Sequence, residues 1–179
     1  MHKDIEKIMI SRNEIAVRVK SLANQLDKDY EGKRPLLICI LKGSILFFSD
    51  LIREMEIPLE IDFMAISSYG NGAKSSGEVR MIKDLDRSIE NRHVIIIEDI
   101  IDSGYTLSYL KRMLYSRHPE SVKICALLDK FERREVAIEA DYKGFDIGNE
   151  FVVGYGLDYS QEYRNLPDIG ILKRSVYEK

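Results

Sequence analysis

Residues 93–129 constrain the fold more tightly than any other stretch of the chain. "HVIIIE" (93–98) is a short aliphatic run, "DSGYT" (102–106) a small glycine-containing turn, "TLSYLKRMLYSR" (106–117) a helix pattern and "SVKICALLD" (121–129) a second apolar run. Strand, turn, helix, strand is a βαβ crossover, which implies a parallel sheet and the α/β class. The rest of the chain fits this. Ser11 with Glu14 forms a capping box ahead of Ile15, Val19, Leu22 and Leu26 at helical spacing, and Gly32 and Pro35 close that helix. "PLLICIL" (35–41) reads as a strand buried on both faces, 45–55 as a helix and 59–68 as a strand. Residues 69–78, "YGNGAKSSGE", are expected to be a mobile loop, with a returning strand in "VRMIKDL". Short strands are expected around 136–139 and 151–155, whereas everything before Pro35 reads as a single helix. A length of 179 residues suits one domain, 1–179, with its own core.

Charge and composition narrow the function. The net charge is −3 and no basic tract exceeds two residues, so the chain lacks the field of a nucleic-acid binder. There is no apolar run long enough for a membrane-spanning helix, and "MHKDIEKIMISRNEI" lacks a signal-peptide core. A cytoplasmic protein with no membrane partner is expected. Cys39 and Cys125 lie inside apolar runs and read as core packing in a reducing compartment. His2, His93 and His118 show no ligand spacing, which argues against a transition-metal site.

The chemistry concentrates in "VIIIEDIIDSGYT" (94–106), where Glu98, Asp99 and Asp102 adjoin a turn suited to an anion. Ligands of parallel α/β sheets gather beyond the carboxyl ends of the strands, and a turn opening a helix aims free amides and a dipole at one spot. Carboxylates beside that spot would repel a bare phosphate. A ligand carrying a phosphate, a diol and a metal-bound diphosphate removes the conflict: amides meet phosphate, while the acids meet hydroxyls and hydrated Mg²⁺. Taken alone, the turn is weak, and Asp102 could simply cap the helix.

The whole segment "VIIIEDIIDSGYTL" closely resembles the phosphoribosyl-diphosphate (PRPP) signature of the type I phosphoribosyltransferases, in the form of the hypoxanthine-guanine branch. "LKGS" (41–44) resembles the family's pyrophosphate loop and "SSYG" (67–70) its lid, while "LLDKFERR" (127–134) and "FVVGYGLDYSQEYRNLP" (151–167) resemble its purine-binding and C-terminal segments. The resemblance implies a parallel-sheet core with helices on both faces and a small hood from the termini. It implies transfer of ribose 5-phosphate from PRPP to N9 of a 6-oxopurine, with release of pyrophosphate.

On the same basis Ser103, Gly104, Tyr105 and Thr106, next to Asp102, hold the 5-phosphate, and Glu98 and Asp99 hold the ribose hydroxyls and Mg²⁺. Asp102 exchanges a proton with purine N7. Lys130 donates to purine O6, Phe151 stacks on the ring and the Val152 backbone meets its edge. Asp158 serves a second Mg²⁺ beside the purine. Lys42, Gly43, Arg164 and Arg134 face pyrophosphate, the first two through a cis Leu41–Lys42 peptide. Ser68 and Tyr69 belong to a lid spanning about 68–80. Without the resemblance, Lys130 would read as a lysine snorkelling to the surface. Two alternatives stay open: a relative preferring xanthine or hypoxanthine alone, and a PRPP-sensing regulator without turnover. A homodimer or homotetramer is expected from the family.

Overall fold

The computed structural model describes residues 2–68 and 79–178. A six-stranded sheet runs in the order β4-β3-β2-β5-β6-β7, built from β2 (Leu36–Leu41), β3 (Glu60–Ser68), β4 (Val79–Lys83), β5 (His93–Ile101), β6 (Ser121–Asp129) and β7 (Tyr142–Asp146). All neighbours are parallel except β3 and β4. The aliphatic runs of β2, β5 and β6 are buried on both faces, as interior parallel strands require. One core forms where α1 (Arg12–Asp29) and α2 (Ile45–Glu54) cover Leu37, Cys39, Ile95 and Ile97. The other lies under α3 (Tyr105–Tyr115), whose Leu107, Leu110 and Leu114 meet Ile38, Ile96 and Ile124. Helices therefore cover both faces, as expected. The capping box also forms: Ser11 N donates to the Glu14 carboxylate at 2.8 Å, and Glu14 N donates back to Ser11 Oγ.

Beyond the main sheet, β1 (Ile5–Ile10), β9 (Ile169–Leu172) and β8 (Val152–Val153) make a small antiparallel sheet in that order, the hood of the termini. α4 (Arg174–Tyr177) follows it.

Three expectations about elements need correction. The chain before Pro35 is not one helix, because β1 precedes α1 and finds its partner at the far end of the chain, where no local pattern could announce it. Residues 136–139 are not a strand: Val136 and Ile138 pack into the α3 core, and the Val136 amide donates to Ser103 O instead of to a ladder. The strand lies later, at β7, and the segment 151–155 keeps strand pairing only at Val152–Val153 before Gly154 turns at φ +98°.

Candidate active site

β2 and β5 stay in register only as far as Cys39 opposite Ile97, whereas β6 accompanies β5 to Asp129 opposite Ile101. Glu98 and Asp99 thus occupy the last stretch of β5, where one neighbouring strand has already turned away. The Lys42–Gly43 loop fills that gap, and the Leu41–Lys42 peptide is cis. Gly43 sits so close that a Cβ there would fall 1.7 Å from Asp99 Oδ2, so only glycine fits unless the acid moves. Asp99 Oδ1 accepts from the Ile100 amide at 2.8 Å. Burial pushes the Asp99 carboxyl up to about 6. Burial, with Asp99 alongside, pushes Glu98 well above the carboxylate range, and Glu98 Oε2 has no hydrogen-bond partner among the described residues. Among the described residues, no cation forms an ion pair with either acid.

The next residues make the turn into α3. Gly104 is the N-cap at φ +89°, and a Cβ on it would meet Ile138 at 2.4 Å. Among the described residues no side chain caps this helix, so the amides of its first turn and its dipole remain available to an anion. Asp102 is therefore not a cap. Its Oδ1 lies 2.8 Å from Arg133 Nε, in charge contact but without a well-directed hydrogen bond. The segment after β6 backs the turn: Lys130 N donates to Ile101 O at 2.9 Å and Glu135 N to Ser103 O at 3.0 Å. Arg134, expected beside pyrophosphate, is turned inward. Its Nη1 donates to Asp102 O at 2.8 Å and its Nη2 to the buried Asp129 carboxylate.

At the purine end of the expected site, Lys130 is buried and its Nζ donates to Glu150 O at 2.8 Å. Burial lowers its pKa, against the opposing pull of the nearby Asp102 charge. Phe151 follows Glu150 directly and stacks on Tyr177 at 4.9 Å, with Tyr159 edge-on at 5.7 Å. Val152 is buried in β8. Asp158 pairs with Arg164 at 2.8 Å and accepts from the Gln161 amide, while Gln161 Oε1 lies 3.4 Å from Lys42 Nζ and 3.3 Å from Arg164 Nη2. Arg164 and Asp158 are both near enough to act on the Asp99 carboxyl. Lys42, Gly43, Asp99, Asp158 and Arg164 therefore lie close together. Tyr69, with the rest of the loop expected at 69–78, and the side chain of Ser68 lie outside the described residues.

Known proteins share this fold. The phosphoribosyl transferase domain family matches residues 9–160. The chain belongs to that family. It is 54% identical over 179 residues to the hypoxanthine-guanine phosphoribosyltransferase of Streptococcus thermophilus, covering 100% of this chain and 99% of that one. It is 55% identical to the bifunctional protein TilS/HprT of Listeria innocua, of whose length it spans 28%. A crystal structure of a hypoxanthine phosphoribosyltransferase from Staphylococcus aureus superposes with a TM-score of 0.97 at 51% identity, covering 100% of this chain and 97% of that one.

Within this family member, the acid pair suits a particular kind of cation. Mg²⁺ takes one or two carboxylates and completes its shell with water and substrate phosphate. The partnerless Glu98 Oε2 and the adjacent Asp99 offer such a pair, and among the described residues no set of three or more ligating side chains stands together. The donors thus fit Mg²⁺ with the rest of its shell completed by other oxygens. Arg133, Gln161 and Tyr177 were not singled out by the sequence. Arg133 had only its neighbour Arg134 as a signal, and the other two had none.

Proposed function

We propose that the protein transfers ribose 5-phosphate from PRPP to N9 of hypoxanthine or guanine, giving IMP or GMP and pyrophosphate in purine salvage. The observation that carries this is the Glu98–Asp99 pair, without an ion-pair partner among the described residues, on the strand that leads into an uncapped helix N-terminus, with the buried Lys130 following the neighbouring strand. The amides of Ser103 to Thr106 take the 5-phosphate, and the acid pair accepts hydrogen bonds from the ribose hydroxyls. Mg²⁺ at the pair, and a second Mg²⁺ at Asp158, would offset diphosphate charge. Lys42 and Arg164, with the Gly43 amide, bind the departing pyrophosphate. Arg134 supports the phosphate turn from behind. Asp102 takes the N7 proton as N9 bonds to the anomeric carbon and pyrophosphate leaves.

Lys130 selects the purine. Its ammonium donates to a 6-oxo group, and a 6-amino group would meet it donor to donor. Phe151 stacks on the ring and Val152 meets its edge. Ser68 and Tyr69 are assigned to a segment that covers the reacting centre. The whole chain acts as one catalytic unit, and we assign it to the cytoplasm as a homodimer or homotetramer.

Initial rates with PRPP and Mg²⁺ against hypoxanthine, guanine, xanthine and adenine test the proposal. Hypoxanthine and guanine should turn over, EDTA should abolish activity and adenine should be very poor. Adenine turnover comparable to hypoxanthine would remove Lys130 from its role. Asp102→Asn should lower kcat by roughly 10²–10⁴-fold with PRPP affinity nearly kept.

A further inference from the structure

We infer that Arg133 is a positioning residue for Asp102, fixing which carboxylate oxygen faces the purine; the inference rests on Asp102 being the proton acceptor proposed above. The Arg133 and Asp102 side chains are 52% and 47% exposed, and an ion pair that open contributes only about 0–1 kcal/mol to stability. Stability is thus a weak reason for the contact. The atomic detail points elsewhere. Although the Asp102 side chain is half-exposed, its Oδ1 is sealed from water under the guanidinium, without a well-directed hydrogen bond. The exposure belongs to the remaining atoms, which leaves Oδ2 as the oxygen open to a ligand.

A carboxylate on a short stem needs such help. The last torsion of aspartate is broad and roughly two-fold, so nothing in the side chain itself selects one oxygen. Arg133 is well framed to select it. It ends the short 3-10 turn Phe131–Arg133, and its amide donates to Lys130 O at 2.9 Å. That turn is tied to the carbonyls on either side of Asp102, through Lys130 N to Ile101 O and Glu135 N to Ser103 O. Arg134 adds a bond to the carbonyl of Asp102 itself. Consecutive arginines thus divide the work: Arg134 holds the main chain and Arg133 holds the carboxylate.

The test is a double-mutant cycle with Arg133→Met and Asp102→Asn, plus Arg133→Lys as the conservative variant, reading kcat, both KM values and the melting temperature. Arg133→Met should lower kcat about tenfold, with KM for PRPP and hypoxanthine within about twofold and melting unchanged. Arg133→Lys should recover most of the rate. In the Asp102→Asn background, Arg133→Met should cost less than about twofold, because no acceptor remains to be aimed. An unchanged kcat in Arg133→Met, or the same tenfold loss in both backgrounds, overturns the inference and leaves the role of Asp102 intact. Near-normal turnover by Asp102→Asn would remove both.

Discussion

Two neighbouring strands carry carboxylates near their ends, and the protein treats them in opposite ways. At the end of β6, Asp129 is 5% exposed and is met by Arg134 and, at 3.8 Å, by Lys143. At the end of β5, Glu98 and Asp99 have no such cation among the described residues, and burial raises both. Asp129 faces protein on every side, so its charge must be matched from within. The β5 pair has no such match among the described residues, and under the function proposed above a ligand supplies it. An uncompensated acid is thus tolerated where function provides the partner, and the cost falls on the stability of the free protein.

The largest expected effect comes from breaking the compensated side. Asp129→Ala would leave the Arg134 guanidinium buried without its carboxylate, a loss of about 3–5 kcal/mol. For a chain of this size that lowers the melting temperature by roughly 6–20 °C in calorimetry. A drop under about 2 °C would show that water or Lys143 replaces the partnership, and the contrast between the strands would lose half its basis.

The uncompensated side should respond with the opposite sign. Asp99 holds its proton to about 6 when folded and releases it near the ordinary aspartate value, about 3.9, when unfolded. Between those values the folded state binds more protons than the unfolded state, so stability falls as pH rises through the window and levels off above it. Asp99→Asn should therefore be more stable than the parent at pH 7 by about 1–3 kcal/mol, with the gain vanishing below about pH 4. Urea titrations from pH 4 to 8 measure this. The same variant should bind PRPP with Mg²⁺ poorly. A parent whose stability does not fall between pH 4 and 6 would place the Asp99 proton loss outside that window.

The contrast also marks where sequence was informative. The βαβ unit, the capped first helix and the acid-rich strand end are local patterns, and each appears where the residues pointed. β1 did not, because "IEKIMI" owes its strand to Ile169–Leu172, at the opposite end of the chain. Val136 and Ile138 mimic a strand because alternation records burial, and here a packed loop supplies the burial. In the site, Glu98, Asp99, Asp102 and Lys130 are named from residue type and order alone, because each lies at or just past the end of an apolar run. The direction of Arg134 is not legible that way, because it depends on Asp129 lying opposite the end of β5. Arg133 escaped for the same reason: which of two adjacent arginines reaches the carboxylate is decided by the turn, not by composition.

The smallest effect lets a bystander thiol report the charge. Cys39 and Cys125 are both free and fully buried, and burial raises both thiols, Cys39 to about 11. Glu98 and Asp99 add to the rise at Cys39, whereas the charge felt at Cys125 is the opposing one of Arg18. At pH 8 a thiol of that kind is about one part in 10³ thiolate, so alkylation of the folded protein should be slow. Removing the Asp99 charge should favour the Cys39 thiolate and leave Cys125 untouched. Asp99→Asn should therefore raise the Cys39-to-Cys125 alkylation ratio about two- to threefold, with peptide masses read during reaction with a small haloacetamide. The ratio is the useful quantity, because global opening exposes both thiols alike and cancels from it. An unchanged ratio would mean that the acid pair is screened within a few ångströms of its own strand. The uncompensated charge at the end of β5 would then be a smaller burden on the free protein than its neighbour's pairing suggests.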